Sequence, residues 1–362
     1  MPLTQVSAAL LSSEANAQGF RNRIINGDMR IDQRNAGASV TPTTTVYTLD
    51  RWQLPIAQAS KLSVQQNAGA VTPPAGFSNY LGLTSLSAYS ITSTDYFLLT
   101  QAIEGYNIAD LAWGTASAQS VTLSFWVRSS LTGTFGGVVT NGTRAYPFTY
   151  SISAANTWEY KTIVIPGDTS GTWATNNTTG LIVQFGLGVG ANRSGTAGAW
   201  ATGTINSATG ATSVVGTNGA TFYITGVQLE AGTVAEPFER LDYGRQLIQC
   251  QRYYYKIGPG ITNSMLGVGW NASTTQSLAL TTFPVTMRAA PSALEQTGTA
   301  GDYSIYHGAG SGTACSSVPS FGIANTTNAR TLLTVASGLT ANGGSMARAE
   351  TTNGYFAWSA EL

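Results

Sequence analysis

Charged side chains are scarce in this sequence. Only 9% of its 362 residues are Asp, Glu, Lys or Arg, compared with about 25% in ordinary soluble domains. The 17 basic and 17 acidic residues cancel to a formal net charge of zero. The chain therefore lacks the positive excess that attracts a phosphate backbone, and no nucleic-acid partner is expected. A surface made largely of Ser, Thr, Asn, Gln and Gly is suited to neutral partners such as glycans, or to further copies of the chain.

Cysteine and histidine are almost absent. Cys250 and Cys315 are too few for a disulfide framework, and each is expected to be a small buried hydrophobic residue. A zinc site built from His and Cys would lack ligands, so no metal and no other cofactor is expected. His307 is the only histidine, and no nucleophile elbow accompanies it to indicate a Ser-His-Asp triad.

Long apolar runs are also missing. No stretch approaches the roughly 20 residues that a membrane-spanning helix needs, and no membrane insertion is expected. The apolar run at residues 8–11 has no basic segment before it, so we expect no secretory signal. Val6, Leu10 and Leu11 lie at helical spacing. A helix this short is marginal in water, so residues 1–21 are interpreted either as a frayed tail or as an anchor to a neighbouring subunit or particle.

The few carboxylates form no marked catalytic pair. An enzyme that cleaves glycans needs two carboxyl groups about 5–10 Å apart. Asp28 with Asp32, or Glu236 with Glu239, could converge in this way, but turns and ion pairs with neighbouring arginines account for them better. We therefore expect no catalytic residues and no enzymatic activity.

What the sequence does contain is a succession of short alternating segments. In residues 121–127 every second side chain is Val, Leu or Phe, which predicts one buried and one partly exposed strand face. Gly and Asn clusters separate such segments at short intervals, as is typical of a sandwich or jelly roll. One helical turn is predicted at 107–113, and the Gly-rich residues 191–219 are expected to form a loop or hairpin. Strands are predicted at residues 60–65, 79–86, 96–104, 120–127, 134–139, 147–152, 158–165, 180–189 and 220–229.

A second β unit is predicted after a short helix at residues 246–251. No heptad pattern is present, so association is expected through β surfaces and not through a coiled coil. The predicted fold class is all-β: a short N-terminal helical anchor at 1–21, a jelly-roll-like β-sandwich at 22–242 and a smaller β-sandwich domain at 243–362. Strands of the second unit are predicted at residues 253–257, 265–270, 277–280, 303–307, 321–323, 331–339 and 355–361.

Four linked segments carry a resemblance to a known family. Residues 24–34 read I-I-N-G-D-M-R-I-D-Q-R, residues 47–52 read Y-T-L-D-R-W, and residues 121–127 read V-T-L-S-F-W-V. From residue 226 the chain reads G-V-Q-L-E, then P-F-E, then C-Q-R-Y-Y-Y up to residue 255. Together these segments resemble a module that recurs in bacteriophage tail proteins, and the resemblance covers roughly residues 22–256.

The resemblance implies a β-sandwich like those of carbohydrate-binding modules, in a structural protein of the virion. We expect a tail-fibre or receptor-binding subunit that is assembled in the bacterial cytoplasm and located in the virion. Its expected partners are two further copies in a homotrimer, other tail proteins bound through the N-terminus, and host surface polysaccharide. The alternatives are a capsid-surface decoration or knob, a glycan depolymerase, and a bacterial glycan-binding module outside any phage.

Aromatic side chains beside polar ones are the candidate ligand contacts, because sugars stack their C–H faces on such rings. Trp52, Trp113 and Trp126 lie in the matched segments and are expected in the core. Six aromatic residues outside the four matched segments are candidates for glycan contact or for a subunit interface: Trp173, Trp200, Trp270, Tyr303, Tyr306 and Trp358.

Overall fold

The computed structural model describes residues 20–308 and 310–362. The candidate anchor residues Val6, Leu10 and Leu11 lie outside the described residues. The chain falls into two compact units that divide between Asp242 and Tyr243, with Leu362 grouped with the first unit. Both units consist mainly of antiparallel sheets, and this confirms the predicted all-β fold class.

From residue 20 onward, the first unit contains fourteen strands. A seven-stranded sheet has the order β1-β2-β5-β10-β7-β8-β12, a five-stranded sheet has the order β3-β4-β14-β6-β9, and β11 pairs in parallel with β13. Short 3-10 turns lie at Ala68–Ala70, Gly105–Asn107, Ala109–Leu111 and Ala191–Arg193. The strands are β1 Val46–Leu49, β2 Trp52–Leu54, β3 Leu62–Gln66, β4 Leu81–Ser85, β5 Tyr96–Glu104, β6 Val121–Ser129, β7 Gly133–Thr140, β8 Arg144–Ile152, β9 Glu159–Ile165, β10 Thr179–Val189, β11 Ser194–Gly195, β12 Ala201–Thr202, β13 Ser207–Ala208 and β14 Thr221–Ala231.

Aromatic rings from both large sheets pack in the core of this unit. Phe125 on β6 makes edge contacts with Tyr150 on β8 and Phe185 on β10, each with ring centroids 5.0 Å apart. Phe135 on β7 stacks on the same Tyr150 at 5.8 Å. Edge and offset contacts of this kind are the favoured geometries of aromatic pairs. The side chains that alternate along β6 therefore hold the two sheets together.

The second face of β6 differs from its prediction. Thr122 and Ser124 are buried as completely as the core residues, and Trp126 is the side chain on this face that stays partly exposed. The reason is the segment that follows β14, which folds back over β6. The Thr122 hydroxyl donates a hydrogen bond of 2.9 Å to the carbonyl of Gly232 in that segment.

The first and last segments of the family resemblance pair directly. Arg23 N donates to Leu229 O at 2.8 Å, and Val227 N donates to Gly27 O at 2.9 Å. The side-chain NH₂ of Asn22 also donates a hydrogen bond to the carbonyl of Val227, and its side-chain oxygen accepts one from the amide of Leu229. The I-N-G-D segment thus lies along β14 and closes the sandwich.

Two irregular regions are more ordered than predicted. The helical turn expected at 107–113 consists of two consecutive 3-10 turns, Gly105–Asn107 and Ala109–Leu111. The expected loop at 191–219 contains the three two-residue strands β11, β12 and β13, and β12 pairs with β8. Such short strands have no periodicity of their own, so their pairing depends on the sheet that they meet.

The second unit begins with the helix α1 (Tyr243–Gln251), which confirms the predicted short helix and extends it at its start. Its larger sheet has the order β19-β18-β22-β16-β17-β21-β20, β15 pairs with β23, and a 3-10 turn lies at Ala300–Asp302. Cys250 and Cys315 are both buried and free, as expected. The strands are β15 Tyr254–Ile257, β16 Met265–Asn271, β17 Gln276–Thr282, β18 Tyr303–His307, β19 Ser311–Ala314, β20 Ser320–Ala324, β21 Asn328–Thr334, β22 Gly344–Ala349 and β23 Phe356–Ser359.

Every strand predicted from the sequence overlaps a strand of the structure, but several strands were missed. The clearest omission is β22, whose sequence G-S-M-A-R-A contains no β-branched or aromatic residue. It pairs with both β16 and β18 inside the sheet. Its strand conformation comes from these neighbours and not from intrinsic propensity.

A candidate ligand-binding groove on the five-stranded sheet

A concave site in the first unit lies on the outer face of the five-stranded sheet. This groove has a volume of about 570 Å³, within the range of roughly 300–1,000 Å³ that is common for ligand pockets. Its floor comes from β6, β9 and β14, and its far wall comes from the segment that follows β14. It is lined by Phe77, Ser124, Trp126, Tyr160, Gly226, Ala235, Glu236, Pro237, Phe238 and Arg240.

Two aromatic rings form an exposed pair on the floor of the groove. Trp126 on β6 lies directly opposite Tyr160 on β9 in the strand register, and their ring centroids are 5.3 Å apart. β9 is an edge strand, so no further strand covers Tyr160, which is 44% exposed. An indole beside a phenol offers an apolar surface with a hydroxyl at its rim, which suits a ligand that has both C–H faces and hydroxyl groups.

The opposite wall carries two phenylalanines and an arginine. Phe77 and Phe238 meet edge to face with ring centroids 5.2 Å apart. The guanidinium of Arg240 lies over both rings, 4.7 Å from the centroid of Phe77 and 5.7 Å from that of Phe238. Cation–π contacts of this kind hold a guanidinium in a fixed plane.

A glycine brings the floor and this wall together. Gly226 lies at an irregularity in the pairing of β14 with β6 and has φ of +61°, in the left-handed region. A Cβ at this position would lie 2.7 Å from Phe77 Cζ and 3.2 Å from Trp126 Cδ1. The position therefore requires glycine both for its backbone conformation and for the close approach of the two rings.

Buried polar side chains on β14 fix the segment that carries Phe238 and Arg240. The side-chain oxygen Oε1 of Gln228 accepts a hydrogen bond of 2.7 Å from the backbone amide of Glu239. The side-chain NH₂ of Gln228 donates to the carbonyl of Glu236 at 3.2 Å. Glu230 accepts the amide of Glu236 at 2.9 Å, and the Arg21 guanidinium lies 3.5 Å from it. Burial raises the pKa of Glu230, while these donors and Arg21 oppose the shift.

The P-F-E part of the resemblance is tied to the N-terminal segment as well. The carboxylate of Glu239 accepts the amide of Asn22 at 2.6 Å. The Arg21 guanidinium donates to the carbonyl of Pro237. The motif residues Gln228, Glu230 and Glu239 thus support the groove from behind.

The structure corrects the placement of three predicted contact residues. Trp173, Tyr303 and Trp358 are buried in hydrophobic cores, so their faces are not available to a ligand. Trp173 lies outside the strands, but its indole packs against Trp113 with ring centroids 4.7 Å apart. Trp200 is half-buried in the same cluster, 5.4 Å from Trp113.

The other two predicted contact residues lie on the larger sheet of the second unit. Trp270 on β16 is half-exposed, and Tyr306 on β18 is partly exposed beneath the guanidinium of Arg348. The residues that line the groove all belong to the first unit, so Trp270 and Tyr306 are not part of it.

Sequence reasoning missed the central aromatic residues of the groove. Trp126 was expected in the core, and Tyr160, Phe77 and Phe238 were not singled out. A signal for Trp126 was present, because it alternates with Phe125 and Val127 and so falls on the outer face of β6. Tyr160 gave a weaker signal, since its partner across the sheet is known only from the register.

Most of the candidate catalytic groups have structural partners. Asp28 forms an ion pair with Arg30 at 2.5 Å, and Asp32 caps a turn by accepting the amides of Asn35 and Gly37. His307 Nε2 is 2.8 Å from the hydroxyl of Thr313. In the described residues no group of three or more His, Cys, Asp or Glu could hold a metal ion. Across residues 20–308 and 310–362, no helix has the length and apolar character needed to cross a membrane.

Comparisons with known proteins match solved structures but no family. No protein-family model matches the chain, and no curated protein matches it. The enzymatically active domain of tailspike protein 4 of bacteriophage CBA120 is 13% identical with a TM-score of 0.33, and the match covers 58% of this chain and 21% of that chain. TmCBM61, in complex with beta-1,4-galactotriose, is 12% identical with a TM-score of 0.30, covering 59% of this chain and 99% of that chain.

A family 11 carbohydrate-binding module of a cellulosomal cellulase from Clostridium thermocellum is 12% identical with a TM-score of 0.27, and covers 56% of this chain and 99% of that chain. In the comparison with the tailspike domain, the matched part of this chain spans about a fifth of that domain's length.

Proposed function

We propose that this chain is a structural protein of a virion that binds host surface glycans through the groove on its five-stranded sheet. The observation that supports this most strongly is the exposed pair of Trp126 and Tyr160, with Glu236 and Arg240 on the facing wall. A sugar ring can lie on the aromatic pair through its C–H face, while its hydroxyl groups reach the charged side chains. The groove binds the glycan and does not cleave it.

The proposal of a tail-fibre subunit comes from the sequence resemblance. The segments that carry the resemblance also build this unit: Gly27 and Val227 close the sandwich, and Gln228 and Glu239 hold the wall of the groove. A module that recurs in tail proteins would keep such residues because they shape both the domain and its binding surface. In a tail fibre, the N-terminal segment would attach each copy to other tail proteins.

The proposal of a homotrimer is supported by an apolar sheet face in the second unit. Val268 on β16 and Leu280 on β17 lie directly opposite each other, and Ile323 on β20 lies in the same row beyond Arg330 of β21. Val268, Leu280 and Ile323 are each at least 40% exposed, and Trp270 lies on the same face two residues further along β16. Exposed apolar surface of this kind marks interaction sites in soluble proteins. We assign it to contacts between copies of the chain.

The number of copies in a purified phage particle tests the virion role. We expect the chain to be present in a few to a few dozen copies, as a multiple of three, measured by quantitative gel densitometry against a capsid protein. Hundreds of copies would replace the tail-fibre proposal with the alternative of a capsid decoration, which uses the same sandwich. Absence from the purified particles would contradict both forms of the proposal.

A further inference from the structure

The groove continues past Phe77 into a second hollow of about 220 Å³, and both Phe77 and Arg240 line the two spaces. We propose that the site takes an acidic glycan, with a sugar ring on Trp126 and Tyr160 and the carboxylate of the adjoining sugar held by Arg240 in the second hollow. This inference rests on the proposed function, because it names the class of glycan that the same site would bind.

Arg240 is oriented for such a contact. Its guanidinium lies over the rings of Phe77 and Phe238, and the residue is exposed. A cation–π contact uses the charge of a guanidinium and none of its N–H hydrogen bonds, so these N–H groups can donate to the two oxygens of a carboxylate. The two phenylalanines therefore preorganise an anion contact at the boundary between the groove and the hollow.

The positive charge of Arg240 is not neutralised by a neighbouring carboxylate. In the described part of the chain no carboxylate lies within ion-pair distance of it. The neighbouring Arg30, which lines the same hollow, is paired with Asp28 at 2.5 Å and donates to the carbonyl of Leu241 at 2.8 Å. The hollow thus contains two cations and one anion, and the cation without a partner is the one that faces the groove.

Glu236 sets the direction in which an acidic ligand would lie. Glu236 lines the groove but not the second hollow. A ligand carboxylate placed over Trp126 would meet that negative charge, whereas one placed beyond Phe77 would meet Arg240. The hollow is smaller than the roughly 300 Å³ of the smallest common ligand pockets, so it suits one acidic substituent of a longer glycan and not a separate ligand.

A glycan microarray that contains neutral, uronic-acid and sialic-acid oligosaccharides tests this inference with the full chain. We expect the bound glycans to carry a carboxylate, and we expect its methyl ester to bind about tenfold more weakly or worse. The Arg240→Gln variant should bind the free acid about tenfold more weakly than the wild type does. It should bind the methyl ester as well as the wild type does. Arg193→Gln is the matched control, because its guanidinium also stacks on a ring, 5.1 Å from Tyr96, away from the groove. Unchanged thermal unfolding of both variants excludes a folding defect.

The possible outcomes separate the inference from the function on which it rests. Equal binding of neutral and acidic glycans would overturn the specificity for acidic glycans, and so would wild-type affinity of Arg240→Gln for the free acid. Neither result would contradict the glycan-binding function. A wild-type chain that binds no glycan on the array would overturn both. An equal loss in Arg193→Gln would assign the effect to the general charge of the chain and would also contradict the role of Arg240.

Discussion

Replacing Trp126 by Ala is expected to weaken binding of host surface polysaccharide by about 30-fold, or about 2 kcal/mol, the scale of a central aromatic contact in an interface. The indole is one of the two rings that form the aromatic floor, and its removal leaves only Tyr160 there. Because Trp126 is only partly buried and lies outside the core, the sandwich itself should remain folded. Calorimetric titration of both proteins with the same polysaccharide preparation measures the difference.

Tyr106→Ala is the matched control for this result. Tyr106 is 61% exposed, lies in the 3-10 turn Gly105–Asn107 of the same unit, and does not line the groove. Its removal should leave the affinity unchanged. If Trp126→Ala binds as tightly as the wild type, the aromatic floor has no role in recognition. If both variants lose affinity equally, binding depends on exposed aromatic surface in general and not on the groove.

Replacing Gly27 by Ala is expected to destabilise the first unit by about 3 kcal/mol, because a well-packed site has no room for an added methyl group. The new Cβ would lie 2.1 Å from the carbonyl oxygen of Val227. This is backbone that cannot move without breaking the bond between Val227 N and Gly27 O. For a unit of this size the unfolding midpoint should fall by roughly 10 °C, measured by differential scanning calorimetry.

Gly301→Ala is the matched control, because it makes the same replacement of glycine by alanine at a position with free space. A Cβ at Gly301 would meet nothing within 4 Å, so its effect should stay within about 0.5 kcal/mol, as for most surface substitutions. A Gly27→Ala variant with the wild-type midpoint would show that the N-terminal segment does not need its close contact with β14. The family resemblance would then have no structural basis at this position.

The fold was largely predictable because its determinants are local. The alternation in residues 121–127 identified β6 and its buried face, and the Gly and Asn clusters placed most strand ends. The same reasoning failed where distant residues decide the structure. Trp173 looks like a loop residue until its loop packs on Trp113, and the unremarkable sequence of β22 becomes a strand only between two partners.

The groove was harder to predict than the fold. Its wall depends on hydrogen bonds between residues far apart in sequence, such as Asn22 with Glu239. Its floor depends on the register that places Tyr160 beside Trp126, and on the positive φ of Gly226. None of these features has a periodicity or a composition of its own. The resemblance to the tail-protein module drew attention to residues 226–239. It did not show that these residues hold the wall of a binding groove in place.

The most direct test of the account is hydrogen–deuterium exchange of the full chain with and without host surface polysaccharide. We predict that amides in β9 and in residues 233–241 exchange more slowly when the glycan is bound, because these segments form the floor and wall of the groove. Slower exchange confined to β16 and β17 of the second unit, with the groove segments unchanged, would contradict the assignment of the glycan site to the five-stranded sheet.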